Sequence, residues 1–209
     1  MSRLEKLTAR SAIVALCVLW TIAVGVGGTL LWKYAATPGV AATPPEQWPA
    51  ESAIKREPGV ATLVMLAHPR CPCTRASIAE LAVLMARIGQ RGRAHVLFVR
   101  PREAVADWDK TVLWQSAAAI PGVTVHADPG GAEAARFRAA TSGQVVVYDA
   151  SGTLIFSGGI TGARGHEGDN VGLLRALTLL SGGRADQKES KVFGCALGSR
   201  VDAKGESKP

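Results

Sequence analysis

Two cysteines separated by one proline, Cys71-Pro72-Cys73, stand between two stretches of different character. Upstream, Ala61-Thr-Leu-Val-Met-Leu-Ala67 is a short apolar run suited to a buried strand, broken at His68-Pro69. Downstream of Thr74, residues Ile78, Leu81, Leu84, Met85 and Ile88 recur on one stripe of a helix. The thiols therefore belong at the start of a helix that follows a strand. Unpaired amides and the positive end of the helix dipole stabilise a thiolate there, below the ordinary ~8.5 of a free cysteine. Arg70 and Arg75 add positive charge nearby. The chemistry open to a reachable thiolate is disulfide exchange or the binding of a soft metal ion.

The compartment follows from the N-terminus. Arg3, Lys6 and Arg10 precede an uncharged run from Ser11 to Trp32, closed by Lys33. As a helix, those 22 residues reach ~33 Å, enough to cross the hydrocarbon core. The charge bias puts the N-terminus in the cytoplasm and the rest outside, and the run is longer than a signal-peptide core. Residues 1–33 are thus expected to form a cytoplasmic stub and single transmembrane anchor, in a bacterial inner membrane with the C-terminal domain in the periplasm. Residues 34–57, rich in Ala and Pro, read as a semi-rigid spacer. Cys17 lies within the span as a small apolar residue, so Cys71, Cys73 and Cys195 face an oxidising compartment. Three is an odd number, which implies a reactive thiol, a partner disulfide or a metal. The net charge of +7 comes from basic residues scattered among acids, with 5% aromatics. That pattern lacks the clustered footprint of a nucleic-acid binder.

The main domain, residues 58–183, alternates strand and helix. After the first strand and the cysteine helix (about 73–90) come a strand at 94–100, a helical pattern over 103–118 with Val105 and Trp108 on its face, and a strand at 123–127. A short helix over 132–140 precedes a hairpin, 144–148 and 153–157, across the turn residues Asp149-Ala-Ser-Gly152. A Gly-rich loop carrying Arg164, His166 and Glu167 leads to a helix over 171–180. The order βαβαβαββα predicts an α/β domain with a mixed central sheet flanked by helices. Residues 184–209 form a polar tail, loose except around Val192-Phe-Gly-Cys195-Ala-Leu197.

That order, with cysteines at the first strand-to-helix junction, resembles the thioredoxin fold over residues 58–182. Membrane-tethered, periplasmic TlpA-type reductases and peroxiredoxin relatives come closest. With His68-Pro-Arg-Cys-Pro-Cys-Thr, Ser157-Gly-Gly-Ile-Thr-Gly-Ala-Arg-Gly-His166 and Phe193-Gly-Cys195, the chain also looks like the thioredoxin-like bacterial group labelled RedB. The resemblance implies that Cys71 stands at the attacking position. Thr74 takes the place of the usual resolving cysteine, and Cys73 comes one residue early. Ser142-Gly143-Gln144 lies where such proteins carry a cis-proline, so Gly143 replaces it and leaves the backbone open to a substrate. The resemblance also puts the loop after the hairpin, with Arg164 and His166, at the cysteine end of the sheet, able to stabilise a thiolate or bind an anionic partner.

Three chemistries compete. Thiol–disulfide exchange with protein thiols and disulfides of the periplasm uses Cys71 as nucleophile, with Cys73 or Cys195 to release the trapped partner, and no resident cofactor. A Cys71–Cys73 disulfide would close a very small, strained ring. The alternative is binding of copper(I) or another thiophilic metal by Cys71, Cys73 and Cys195 with His68 or His166, since thiolates are soft ligands. Peroxide reduction is the third, but His68 stands where the peroxiredoxin pattern implies a threonine. A non-catalytic interaction module with structural cysteines is what remains. The exchange reading is preferred, with Arg70, Thr74, Ser142, Gly143 and Arg164 supporting the site; Glu80 and Glu167 are at most proton acceptors.

Overall fold

A computed structural model describes residues 3–40, 42–105 and 107–198. Two compact units result, residues 1–37 and 38–209. The first is helix α1, Arg3–Ala36, whose stretch Arg10–Ala36 has mean hydropathy 2.2 and is not buried. By length and composition this helix could span a membrane, and Trp20, Leu31 and Trp32 are fully displayed along it.

The second unit is built on five strands: β1 (Ala61–Ala67), β2 (Gly92–Arg100), β3 (Val123–Pro129), β4 (Gln144–Tyr148) and β5 (Leu154–Gly159). Their spatial order is β3-β2-β1-β4-β5, parallel among the first three and antiparallel at β4 and β5. The helices are α2 (Pro72–Ile88), α3 (Val112–Ala118), α4 (Ala132–Arg136) and α5 (Val171–Leu180). This is the mixed central sheet flanked by helices, in the expected order.

Strand β1 is central and buried on both faces, so each face needs a roof. On one face Leu63, Met65 and Ala67 meet Ile78, Leu81, Leu84 and Met85 of α2, Ala117 of α3, and Leu173 and Ala176 of α5. On the other, Val64, Leu66, Val146 and Tyr148 meet, among the described residues, one helix, the five-residue α4. Irregular chain completes that roof: Trp48, Ile54 and Leu197 pack there. Trp48 stands edge-on to Phe137 and Tyr148, at 5.1 and 5.2 Å between centroids. Residues 45–54 therefore pack onto this face, where a spacer was expected. The Tyr148 hydroxyl donates to the Pro45 carbonyl at 3.0 Å, and Ser52 and the Ala53 N–H donate to buried Glu133 at 2.7 and 3.0 Å.

The helix expected over 103–118 is shorter than its pattern. Asp107 takes φ +66°, which a helix cannot continue through, and buried Asp109 pairs with Arg100 at 3.8 Å. Regular turns begin only at Val112, and Val105 is exposed. Of the tail, residues 184–198 are described and residues 186–197 are largely held against the domain; 199–209 lie outside the described residues.

Candidate functional site

The chain leaves β1 at Ala67 and turns through His68, whose carbonyl accepts from the Cys71 N–H at 3.2 Å. Cys71 is the extended N-cap of α2, and Pro72 opens the first turn, where its missing N–H costs no hydrogen bond. His68 Nδ1 accepts the Arg70 N–H at 3.2 Å, and its ring stands edge-on to Trp108 at 6.0 Å. The Arg70 guanidinium lies over the same indole, 4.5 Å from its centroid. Burial, then Arg70, lowers the His68 pKa, so the imidazole is neutral at neutral pH.

Cys71 is at the expected junction, but it is not open to solvent. Only 1% of it is exposed, and Cys73 is 6% exposed. The cover is the segment 188–198, which returns across the site and sets Cys195 Sγ 2.8 Å from Cys71 Sγ. All described cysteines are free thiols. The strap is tied down by backbone. Ser142 N–H donates to the Cys195 carbonyl at 2.8 Å and Leu197 N–H to the Ala140 carbonyl at 3.0 Å, an antiparallel bridge centred on Thr141 and Ala196. Arg164 donates to the Gly194 carbonyl at 2.5 Å. Farther back, Ser157 N–H donates to the Lys188 carbonyl at 2.9 Å and Ser190 N–H to the Ser157 carbonyl at 3.1 Å, along the edge of β5.

The three thiols differ in their environments. Burial pushes the Cys71 pKa up, but hydrogen bonds from the Cys195 thiol and backbone, the Thr74 hydroxyl and the Cys73 N–H outweigh it, leaving Cys71 below an ordinary thiol. Burial and the negative Cys71 raise Cys73, with Arg164 pulling the other way. Burial and the same neighbours push Cys195 up to about 12, so it stays protonated and can donate to a Cys71 thiolate. The arrangement sets one thiol of lowered pKa beside two whose pKa is raised.

Thr74 and Ser142 stabilise the junction from below. Their hydroxyls are 2.8 Å apart, both residues are 1% exposed, and Ser142 Oγ accepts the His68 N–H at 2.8 Å. Gly143 stands beside them with φ +88°, its N–H donating to Leu66 at 2.7 Å. Proline, fixed near φ ~−65° and without an N–H, fits neither requirement. A Cβ on Gly143 would come 2.6 Å from Ser77 Oγ. Gly143 is buried, and after Ser77 the Phe193 carbonyl of the strap, not solvent, comes nearest to that Cβ. His166 is exposed in its loop, and Glu80 is buried with Oε1 accepting the Gly168 N–H at 2.5 Å, a structural role. A cavity of about 520 Å³ adjoins the site, lined by His68, Trp108, Arg100 and Leu197 among others.

Among the described residues no group of three or more His, Cys, Asp or Glu side chains is arranged to hold an ion. His68 Nδ1 is already engaged by the Arg70 N–H. Ser77 carries no sequence signal for the site, whereas Phe193, Gly194 and Leu197 lie in the Val192–Leu197 stretch that stands out from the polar tail, although the sequence assigns them no role.

No protein-family model matches the chain, and no curated protein is significantly similar to it. Solved structures do resemble it. A hypothetical protein of Sinorhizobium meliloti 1021 aligns at 21% identity and TM-score 0.55, over 77% of this chain and 93% of that one. An uncharacterized conserved protein of Geobacillus kaustophilus aligns at 17% and 0.57, over 80% and 95%. The exposed lipoprotein thioredoxin of Streptococcus pneumoniae strain TIGR4 aligns at 15% and 0.44, over 59% and 85%. What the first two proteins share with the chain is a fold.

Proposed function

We propose that the chain is a thiol–disulfide oxidoreductase of the bacterial inner membrane, anchored by α1 with its catalytic domain in the periplasm. Cys71 is the nucleophile and Cys195 the resolving thiol. The observation that carries this reading is the 2.8 Å approach of the two sulfurs, one with a lowered pKa and the other protonated. Disulfide formation needs an S–S bond of ~2.05 Å, so a small torsional adjustment suffices. The basic residues ahead of the uncharged run support the orientation.

The exchange runs in two steps. The Cys71 thiolate attacks one sulfur of a partner disulfide; that S–S bond breaks, a mixed disulfide forms, and the partner's other sulfur leaves as a thiolate that takes up a proton. Cys195, giving its proton to solvent, then attacks Cys71 Sγ and expels the second partner thiolate. The protein is oxidised to a Cys71–Cys195 disulfide and the partner is reduced to a dithiol; the reverse sequence oxidises a partner. Cys73, one residue from the nucleophile in Cys-Pro-Cys, stays a thiol in this cycle.

Two measurements test it. Thiol mapping by mass spectrometry before and after mild oxidation is expected to yield a Cys71–Cys195 link, and insulin reduction with dithiothreitol is expected to vanish in Cys71→Ser. Copper(I) bound one per chain after anaerobic purification, and lost in Cys195→Ser, would replace the exchange reading by a metal one.

A further inference from the structure

The strap does more than deliver Cys195. Its residues 193–197 lie across the nucleophile in a particular way: the backbone is paired with 140–142 through two hydrogen bonds, one cysteine sulfur is against Cys71, and two apolar side chains are sunk on either side. Phe193 is 8% exposed and Leu197 6%, two residues before and two after Cys195, while Ala196 points outward. Between Phe193 and Cys195 the backbone comes so close that a Cβ on Gly194 would collide with the Ser142 carbonyl oxygen. That oxygen belongs to backbone and has no freedom to yield, so only glycine fits this position. The strap thus has every property of a bound peptide ligand: main-chain pairing for affinity, and side-chain requirements at defined offsets for specificity.

We propose that the strap is an internal copy of the segment this protein recognises in its partner: an extended Gly-Cys pair flanked two residues from the cysteine by large apolar side chains. This rests on the exchange reading above. Partner and strap cannot both pair with 140–142. Docking of the partner segment lifts 193–197 and brings a partner sulfur to Cys71; the mixed disulfide forms with the strap displaced. Return of the strap supplies Cys195, breaks the mixed disulfide by attack at Cys71 Sγ, and removes the partner backbone from the edge it occupied. Resolution and product release become one event.

The test uses full-length protein carrying Cys195→Ser, which traps the mixed disulfide, and synthetic peptides spanning residues 189–198 whose cysteine is capped as a disulfide with 2-nitro-5-thiobenzoate. Attack by Cys71 breaks that bond and releases the coloured aryl thiolate, and mass mapping confirms the site. The peptide of native sequence is expected to react about tenfold or more faster than one bearing Gly194→Ala, as a methyl overlap at rigid backbone requires. A peptide with Phe193→Ala and Leu197→Ala is also expected to be slower. Introducing Gly194→Ala into the protein's own strap is expected to speed the native peptide by a similar factor; should that variant not fold, the peptide discrimination decides alone. Equal rates for the glycine and alanine peptides, at a Cys71 that reacts normally with 5,5′-dithiobis(2-nitrobenzoate), overturn the proposal and leave the exchange reading standing. A Cys71 inert to both reagents sinks the two together.

Discussion

The two faces of the central sheet are closed by different means. One is roofed by α2, α3 and α5, regular helices whose apolar stripes meet Leu63 and Met65. The other is roofed by α4 and by two irregular segments, 45–54 and 192–197, pinned through single anchors such as Trp48 and Leu197. A helical roof is cooperative, because each side chain sits on a rod already held by its own hydrogen bonds. An anchored strand of irregular chain opens locally when one anchor or a few backbone bonds are lost. The first face therefore serves stability, and the second has room for parts that move. Cys195 travels with the second.

That difference can be tested by truncating one anchor on each kind of roof. Leu81→Ala, in the fully buried stripe of α2, is expected to cost the most, ~3–4 kcal/mol in denaturant unfolding. The alkylation rate of Cys71 in the folded variant is expected to stay unchanged. Trp48→Ala is expected to cost ~3 kcal/mol, the lower end for an aromatic because Trp48 is half-buried, again without exposing Cys71. Leu197→Ala is expected to cost ~2 kcal/mol, less than either, yet to raise the alkylation of Cys71 severalfold, because its loss frees the strap. If Leu81→Ala accelerates alkylation as much as Leu197→Ala does, the two roofs do not differ in the way argued.

Two pH effects are smaller. Cys71 has a lowered pKa, so its thiolate, and with it alkylation at Cys71, is expected to persist as pH falls past the point where an ordinary thiol is protonated. Away from the site, His95 and His126 stand 3.0 Å apart on β2 and β3. Burial, then His126, lowers His95 from the usual 6.5 to about 4. The unfolded chain binds this proton as pH drops through 6.5 and the folded protein does not until about 4, so stability is expected to fall across that window. A loss of a few degrees in Tm, flattened by His95→Phe, is the measurable result.

The same contrast explains what could be read from the residues alone. The helical roof was legible, because Ile78, Leu81, Leu84 and Met85 repeat at helical spacing and have no other way to be buried. The position of Cys71 followed from it. The second roof was not legible: Trp48, Ile54 and Leu197 have no periodic neighbours, and the chain around them reads as spacer and tail. What recruits them is the unroofed apolar face of β1 and β4, visible only once the sheet exists. The burial of Cys71 was missed for that reason, since its cover arrives from a residue 124 positions away. The late start of the helix in the 103–118 pattern had another cause, the turn at Asp107 and the pairing of buried Asp109 with Arg100, which no spacing rule reveals.

The hold of Lys188 and Ser190 on the rim of β5 sets a leash. With that grip intact, the five residues from Ser190 to Cys195 can carry the sulfur no more than ~17 Å from where the chain is clamped. A thiol confined to so small a volume meets its target at an effective concentration far above that of any thiol free in the surrounding fluid. A dislodged partner has one competitor that never diffuses away.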